Sequence, residues 1–508
     1  MLLTKSDFLL HKECSSNAWF VKNKPDILTD QTMDPFVQGL IDQGQEVESW
    51  AQKKFPDGVH VRAYNEAAVD TTQRLIAEGK KTIFQATFSD GELYAMIDIL
   101  QWNEMYQAWD IFEIKSSSAL QDSEAGTRKN EHIDDAGFQR ILLQRLEMKV
   151  ANVYLMELNK EYTKDGPIDL EALFSITEIT NALIALEDAH RVEIKTAYQA
   201  INSSTQPKSC ECKYKPRKRH CSSFSFLYPD TPAYAVYDLS RIGSSKRLLA
   251  DMVDQGIIAM DDIQDVSKFK KMKLWQWTSY IHDEEIILPG EIKKELKGLA
   301  YPLYFLDYET LPSAIPKYDG TWPHQQVVFQ YSLHIIEHED GPLLHKEYLH
   351  ETADAPMPVL AHRLREDIGD DGSVIVWYKP FEVPRTKELA AAVPEHADFL
   401  LQLADRIYDL MDICSKGYYH HKDFRGSVSI KAVLPVMCPD LSYKTLHIQN
   451  GGQAMTTYRD FIFSDLYKGK EDEVVSDLLA YCKLDTFAMV RIWEELWKKA
   501  EDDSSSKN

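Results

Sequence analysis

The feature that most constrains the fold of this chain is the segment 304–310, an apolar run that carries acids at Asp307 and Glu309. Side chains of a β-strand alternate between two faces, so a strand here places both carboxylates on one face. Near the C-terminus, Tyr481 and Asp485 are one helical turn apart. We therefore expect three carboxylates and a phenol to meet in one pocket.

Carboxylates gathered in this way are typical of divalent-cation sites, because Mg²⁺ and Mn²⁺ prefer oxygen ligands. Two such ions about 4 Å apart stabilise the attacking and leaving oxygens of a phosphodiester during hydrolysis. A fourth acid, Glu382, follows the apolar segment 374–378, at the strand edge where open α/β sheets build their sites. The predicted metal ligands are Asp307, Glu309, Glu382 and Asp485. Tyr481 is predicted to orient the attacking water.

Periodicity and turn signals divide the chain into α/β segments. In the N-terminal part they predict helices at 34–54 and 135–146, and strands at 82–88, 92–100, 107–114 and 150–158. From residue 301 they predict strands at 301–310, 327–336, 346–350 and 374–378, with a helix at 358–367.

At 508 residues the chain exceeds one ordinary core, so several domains are expected. The predicted division is an α/β domain at 1–228, a helical connector at 229–298, a second α/β domain at 299–499 and a disordered polar tail at 500–508.

Composition bears on location and partners. The N-terminus lacks a signal-peptide core, and no apolar run reaches membrane-spanning length, so we expect a cytoplasmic protein without a membrane partner. The net charge of −23 is unfavourable for nucleic-acid binding, because Lys and Arg supply most non-specific affinity. It does not exclude a nuclease, whose metal site itself requires acids.

The C-terminal acids resemble those of the DnaQ-like (DEDD) exonucleases. Asp307 and Glu309 match the first motif, and Tyr481 with Asp485 matches the Tyr-x-x-x-Asp form of the last motif. Glu382 stands where that family usually has Asp, and the pair Asp409 and Asp412 offers rival suppliers of this ligand. The resemblance implies a ribonuclease H-like fold and a 3′ to 5′ exonuclease.

The segments 301–310, 329–332 and 426–435 also resemble a bacterial family known as domain of unknown function 2779. This resemblance covers most of residues 299–440 strongly. It implies no assayed activity.

A second set of acids lies in the N-terminal part. Asp98 lies on the second predicted strand and Glu113 near the end of the third, where alternation puts Glu113 and Lys115 on one face. This arrangement resembles the PD-(D/E)xK nuclease core of the RecB-like branch, which includes the CRISPR-adaptation exonucleases. The resemblance implies that the acids bind a divalent metal and that Lys115 polarises water.

Two more residues enter through the same resemblance. Glu48 falls where that branch often has a His ligand, so it is a candidate metal ligand. Gln139 matches the start of a Gln-x-x-x-Tyr motif and is a candidate catalytic residue, although Leu143 stands where Tyr is expected.

Clustered cysteines in a cytosolic chain indicate metal binding more often than disulfides. Three of them lie in the segment 210–221, and Cys14 lies near the N-terminus. In the RecB-like branch, one N-terminal Cys and three later ones hold an iron–sulfur cluster. The resemblance therefore implies a 4Fe–4S cluster on Cys14, Cys210, Cys212 and Cys221. The alternative is a zinc site, in which His220 could replace one of the thiolates.

The sequence therefore predicts an α/β protein, a PD-(D/E)xK restriction-endonuclease-like domain followed by a ribonuclease H-like α/β domain. The predicted function is a metal-dependent nuclease, a 3′–5′ exonuclease on DNA more than on RNA, in repair or defence. The alternative is a nucleic-acid-binding scaffold whose nuclease sites are degenerate, which Glu382, Leu143 and the acidic charge favour. A glycosidase is less favoured, because it requires only two acids and no Tyr-x-x-x-Asp helix.

Overall fold

The computed structural model describes residues 1–28, 35–63, 65–118 and 125–501; the side chains of residues 35, 118 and 125–130 lie outside this description. The chain forms two compact units. The first comprises Met1–Lys213, Arg219–Asp230 and Ser313–Gln325, and the second comprises Tyr214–Lys218, Thr231–Pro312 and the described residues from Gln326 onward. Within the described ranges, no helix has both the length and the apolar composition that a membrane span requires.

The first unit is built on a seven-stranded sheet. Its strands are β1 (Leu3–Thr4), β2 (Val59–His60), β3 (Thr82–Ser89), β4 (Leu93–Asn103), β5 (Ala108–Ser118), β6 (Val150–Leu158) and β7 (Phe174–Glu178). Its helices are α1 (Lys5–Glu13), α2 (Ser15–Asn23), α3 (Pro35–Gln52), α4 (Asn65–Ala77), α5 (Ala125–Arg145), α6 (Leu170–Leu173), α7 (Thr180–Ile201) and α8 (Phe224–Leu227).

The strand order of this sheet is β2-β3-β4-β5-β6-β7, and β1 pairs in parallel with β4. β3, β4 and β5 form an antiparallel meander, and β6 then returns parallel to β5 after α5. Apolar residues of the strands, such as Ile97 and Ile111, form one core with Phe138 of α5 and Ile194 of α7. The helices thus cover the sheet because their apolar faces are buried against it.

The second unit is built on a five-stranded sheet and a small two-stranded ribbon. Its strands are β8 (Ile286–Ile287), β9 (Leu303–Pro312), β10 (Gln326–Ile336), β11 (Leu343–Leu349), β12 (Ser373–Val376), β13 (Ile407–Asp409) and β14 (Tyr419–His420). Its helices are α9 (Lys246–Asp254), α10 (Lys271–His282), α11 (Pro289–Lys297), α12 (Met357–Asp367), α13 (Lys379–Ala392), α14 (Ala397–Asp405), α15 (Met411–Ser415), α16 (Ile430–Met437), α17 (Gly451–Phe463) and α18 (Glu471–Glu501).

The five-stranded sheet has the order β11-β10-β9-β12-β13. β10 runs antiparallel to both β9 and β11, whereas β12 runs parallel to both β9 and β13. The 31-residue helix α18 contributes Leu478, Met489 and Ile492 to a core that also contains Phe305 of β9. β9 is therefore the central strand, and its apolar residues 303–306 are buried.

The element types predicted for β3 to β6, α3 and β9 to β12 are confirmed. β13 was missed, because three residues are too few to show a strand period. The predicted tail begins too early, since α18 continues through Ala500 to Glu501; residues 502–508 lie outside the described residues.

Candidate active site

The acids of the central strand face the same side of the sheet of the second unit. In the register of β9 and β10, Asp307 lies opposite Ser332 and Glu309 lies opposite Gln330. Tyr308, between the two acids, points to the other face, where its hydroxyl lies 3.5 Å from Oγ1 of Thr386. The placement of both acids on one face, as the sequence predicts, is therefore confirmed.

Helix α18 is held over this face by polar bonds from β10. Nε2 of Gln330 donates to the carbonyl oxygen of Leu478 at 2.9 Å. The hydroxyls of Ser332 and Thr486 are 2.8 Å apart. These bonds fix the helix at two points just over two turns apart, so the helical positions between them lie over the acids of β9.

Cys482 lies directly against the first acid. Its Sγ is 3.8 Å from Oδ2 of Asp307, and one ligand atom each of Asp307, Glu309 and Cys482 lie within 4.8 Å of one another. Cys482 is buried, and the turn of α18 that carries it faces the carboxylates.

Asp485 is buried and hydrogen-bonded. Its side chain is 7% exposed, and Oδ1 accepts a hydrogen bond of 2.5 Å from the hydroxyl of Tyr443. Burial raises the pKa of Asp485 to about 6, although the bonds from Tyr443 and Tyr481 and the charge of Lys431 act in the opposite direction. No catalytic or binding role was predicted for Tyr443 from the sequence.

Glu382 joins the same group of acids from the first turn of α13. It is 2% exposed, and its Oε2 has no hydrogen-bond partner among the described residues. Burial, and then the negative charges of Asp307 and Glu309, raise the pKa of Glu382 well above its usual value. A carboxyl that is so buried and so close to other acids, with one oxygen that accepts no hydrogen bond, ionises readily only when a cation is nearby.

The rival acids have other partners. Asp409, at the end of β13, accepts hydrogen bonds from the backbone N–H groups of Tyr378, Lys379 and Met411 at 2.8–3.1 Å. Asp412 forms an ion pair with Lys416 at 3.0 Å. Asp409 therefore fixes the turn that leads into α13, and of the three candidate acids only Glu382 interacts with Asp307 and Glu309.

The four acids form an anionic cluster that the charges of Lys431 and Arg385 compensate only in part. Burial, and then repulsion by Asp485, raises the pKa of Asp307 well above its usual value. Burial and the charges of Asp307 and Asp485 do the same for Glu309. Oxygen donors at this density fit Mg²⁺ or Mn²⁺. Burial and the same acids raise the pKa of the Cys482 thiol well above its usual value, so the thiol stays neutral.

Two further groups border this pocket. Nζ of Lys431 is 3.5 Å from Oη of Tyr481. The side chain of Lys431 is exposed, yet its ammonium reaches the site. At the start of α17, a Cβ on Gly451 would lie 3.8 Å from Oε2 of Glu309 and 4.0 Å from Oη of Tyr481. The first turn of α17 thus forms one wall of the pocket.

The first unit brings Glu113, Lys115 and Gln139 together. Nζ of Lys115 lies 2.7 Å from Oε1 of Glu113, and Nε2 of Gln139 donates to Oε2 of Glu113 at 2.5 Å. Burial favours the neutral form of Glu113, but the charges of Lys5 and Lys115 outweigh this effect and lower its pKa. Leu143, at the position where a Tyr was expected, is fully buried in the core.

Sequence analysis missed two members of this network. Lys5, the first residue of α1, contacts Oε1 of Glu113 at 3.0 Å and Oδ1 of Asp135 at 3.2 Å. Asp135, on α5, also pairs with Lys115. Asp135 is four residues before Gln139, so helical spacing was a usable signal for Asp135, whereas nothing in the sequence marks Lys5.

The other two predicted ligands of the first unit also have donors. Oδ2 of Asp98 accepts the N–H of Ile114 at 2.8 Å, and Oε1 of Glu48 accepts bonds from Gln52 at 2.7 Å and Gln85 at 2.5 Å. Burial, and then the charge of Glu113, raises the pKa of Asp98 to about 8. The metal roles of Glu48, Asp98 and Glu113 stay predictions, because these oxygens are already bonded to the protein.

The four cysteines predicted to bind metal come together in the first unit. One Sγ each of Cys14, Cys210, Cys212 and Cys221 lie within 4.8 Å of one another, with 3.8 Å between Cys14 and Cys221 and 3.9 Å between Cys210 and Cys221. No disulfide joins them. His220 stacks on Phe224 with 3.5 Å between ring centroids. The cluster thus consists of four thiols.

Comparisons with known proteins bear on the family of the chain. Residues 304–429 match the family model described as domain of unknown function (DUF2779), a region that contains Asp307, Glu309 and Glu382. The chain is 26% identical over 302 residues to the uncharacterized protein UU173 of Ureaplasma parvum serovar 3. The aligned region covers 54% of this chain and 42% of that protein. It is 27% identical over 236 residues to the uncharacterized protein MG366 of Mycoplasma genitalium, which covers 42% of this chain and 34% of that protein. The chain therefore spans less than half the length of either relative. Residues 304–429 are therefore similar to the DUF2779 family, and both relatives are uncharacterized proteins.

Proposed function

We propose that the second unit is a metal-dependent phosphodiesterase that removes nucleotides from a nucleic-acid chain, DNA more readily than RNA. The observation that carries this proposal is the grouping of Asp307, Glu309, Glu382 and Asp485, of which Asp307 is half-buried and the other three are buried, and each of which has a raised pKa. A fold retains such mutual repulsion at a cost in stability, which bound cations offset.

The residues of the chain fit distinct roles in hydrolysis. The four carboxylates would hold Mg²⁺ or Mn²⁺, which stabilises charge on phosphate oxygens and lowers the pKa of a bound water. Burial and the neighbouring acids raise the pKa of Tyr481 well above its usual value, so its phenol stays protonated and keeps a proton to donate. Lys431 is placed to attract a phosphate anion.

The sheet supports the ribonuclease H-like part of the proposal. The order β11-β10-β9-β12-β13, with only β10 antiparallel to its neighbours β9 and β11, agrees with the fold that the resemblance to DnaQ-like exonucleases implies. The 3′ to 5′ direction and a role in repair or defence rest on that resemblance alone. The order α3, β3, β4, β5, α5, β6 in the first unit likewise supports a PD-(D/E)xK-like core.

The test is degradation of 5′-labelled single-stranded DNA and RNA by the full chain with Mg²⁺, Mn²⁺ or chelator. We expect the strands to shorten from the 3′ end only when metal is present. Asp307→Asn should lower the rate of shortening at least about a hundredfold, which is the effect of losing a group that stabilises charge in the transition state. Asp440→Asn is the matched control, because Asp440 is exposed and pairs with Arg491. Cleavage that survives Asp307→Asn would overturn the proposal.

The second candidate is a nucleic-acid-binding scaffold. The observation that favours it is in the first unit, where the carboxylates of Glu113 and Asp135 are bonded to Lys5 and Lys115. In the same assay a scaffold binds the labelled strands without shortening them, and Asp307→Asn leaves the binding unchanged.

For the cysteine cluster we propose a thiolate-bound metal that ties α2 to the segment 210–221. Zinc held by four thiolates, each at about 2.3 Å in tetrahedral geometry, places the sulfur atoms roughly 3.8 Å apart. The observed 3.8 Å and 3.9 Å agree with this spacing. A 4Fe–4S cluster requires wider spacing, because each thiolate binds a different iron atom. The geometry therefore favours zinc over the iron–sulfur cluster.

A further inference from the structure

The carboxylates of the first unit already have cations, and these belong to the protein. Nζ of Lys5 lies 3.0 Å from Oε1 of Glu113 and 3.2 Å from Oδ1 of Asp135. Nζ of Lys115 lies 2.7 Å from the same oxygen of Glu113 and also contacts Oδ2 of Asp135. Two ammonium groups therefore bridge the same two carboxylates.

These contacts occupy three of the four carboxylate oxygens of the pair. The fourth, Oε2 of Glu113, accepts the bond from Gln139. Glu113 and Asp135 are 1% and 2% exposed, so water does not replace these donors easily. A divalent cation binds carboxylate oxygens at about 2.0–2.6 Å. To reach them here, it has to displace an ammonium group.

Lys5 is held in place by two local structures. Leu3 pairs with Leu93 through the short strand β1, so the chain just before Lys5 is part of the sheet. Thr4 caps α1 in a capping box with Asp7, in which the N–H of Thr4 donates to Asp7 at 2.9 Å and the N–H of Asp7 donates to Thr4 at 3.2 Å. Lys5 thus enters the site from a fixed position rather than from a loose terminus.

The two units differ in their charge balance. In the first unit, two lysines face two carboxylates, so the pair is neutral. In the second unit, the positive charges that act on the four acids are those of Lys431 and Arg385. Arg385 is itself bonded to Glu388. An excess of negative charge, which attracts divalent cations, therefore exists in the second unit and not in the Glu113–Asp135 pair.

We propose that Lys5 occupies the cation position of the carboxylate site in the first unit, so that Glu113 and Asp135 keep their charges without a divalent metal. The residues resemble a metal-dependent nuclease site, but their oxygens do not fit a bound ion while Lys5 is in place. Lys5 would then be the residue that separates a metal-free first unit from a metal-binding second unit.

The test is Mn²⁺ binding to the full chain, followed by electron paramagnetic resonance. All measurements use a double variant, Asp307→Asn with Glu309→Gln, as the background. These two changes remove the carboxylate site of the second unit, so that Mn²⁺ bound there does not contribute to the resonance signal. With Lys5 intact we expect only weak Mn²⁺ binding. Lys5→Met, which keeps the length of the side chain and removes its charge, is expected to tighten Mn²⁺ binding at least about tenfold.

The matched control is Lys12→Met. Lys12 lies on the same helix and forms comparable ion pairs with Asp134 at 2.7 Å and Glu193 at 2.9 Å, outside the Glu113 network. It is expected to leave Mn²⁺ binding unchanged. Circular dichroism of each variant shows whether α1 is still folded.

Two results would overturn the proposal. One is tight Mn²⁺ binding in the double-variant background while Lys5 is intact, if Glu113→Gln then abolishes that binding. The metal would in that case enter the site without any change at Lys5. The other is a folded Lys5→Met variant whose Mn²⁺ affinity equals that of its parent. Neither result depends on nuclease activity, so failure of the function proposed for the second unit is a separate outcome.

Discussion

The hydroxyl of Tyr443 donates a hydrogen bond of 2.5 Å to Oδ1 of Asp485, which is 42 residues further along the chain. The bond links the loop before α17 to the helix that carries the last predicted metal ligand. It stabilises the ionised form of Asp485, whose pKa burial raises to about 6. The ionisation of this acid therefore depends on a tyrosine for which the sequence predicted no role.

Tyr443→Phe is predicted to shift the pH dependence of metal-dependent cleavage. Loss of a hydrogen bond to a charged group amounts to about 1.5–3 kcal/mol, which moves the pKa of Asp485 upward by about one to two units. The acid limb of the pH–rate profile should move to higher pH, with the rate recovering at alkaline pH. Tyr331→Phe, which removes a tyrosine bond to Asp367, is the control and should leave the profile in place.

Tyr481→Phe is predicted to behave differently from Tyr443→Phe. If the phenol of Tyr481 orients the attacking water, its loss lowers the rate of cleavage about 10²- to 10⁴-fold even at alkaline pH, where Tyr443→Phe recovers. Mn²⁺ affinity should change little, because Tyr481 is not one of the four acids. A Tyr481→Phe variant with near-normal rates would remove Tyr481 from the reaction.

The metal-free protein is predicted to lose stability as pH rises. A carboxyl whose pKa is higher in the folded than in the unfolded state binds more protons when the protein is folded. The free energy of unfolding therefore falls as pH rises across the interval between the two pKa values. For Asp485 the interval runs from 3.8 to about 6, and for Asp307 it extends well above 3.8. Thermal unfolding with chelator at pH 5 and pH 8 measures this loss.

Asp307→Asn should raise the melting temperature of the chelated protein at pH 8, because it removes one of the repelling charges. A gain of 1 kcal/mol corresponds to roughly 2–4 °C in a unit of this size. Mg²⁺ should stabilise the wild type by binding only its folded state, and should stabilise Asp307→Asn less. A variant that is less stable than wild type at pH 8 without metal would contradict the repulsion account.

The cysteine cluster makes a prediction that elemental analysis tests. Protein purified without oxygen should contain about one zinc and no sulfide. Cys14→Ser should release the metal and lower the melting temperature of the first unit. Iron with sulfide and an absorbance near 400 nm would instead establish the iron–sulfur cluster.

Much of the fold could be predicted because its strands are long enough to show a period. β9 and β10, with 10 and 11 residues, display their apolar alternation in the sequence, and acids two apart on β9 must share a face. The three residues of β13 give no such signal, so Asp409 was read as a possible ligand instead of a cap.

The candidate site was predictable only where residues are close in sequence. Tyr481 and Asp485 share a helix face, and Asp307 and Glu309 share a strand face. Lys5 and Tyr443 reach their carboxylates across 108 and 42 residues, so only the tertiary fold reveals them. Long-range contacts of this kind follow from packing, and local patterns do not encode them.

Anomalous diffraction from crystals of the full chain soaked in Mn²⁺ tests directly whether the four acids of the second unit bind metal. We expect Mn²⁺ peaks among the carboxylates of Asp307, Glu309, Glu382 and Asp485, and their loss in Asp307→Asn crystals. Crystals that bind Mn²⁺ elsewhere while these four carboxylates stay without metal would contradict this expectation.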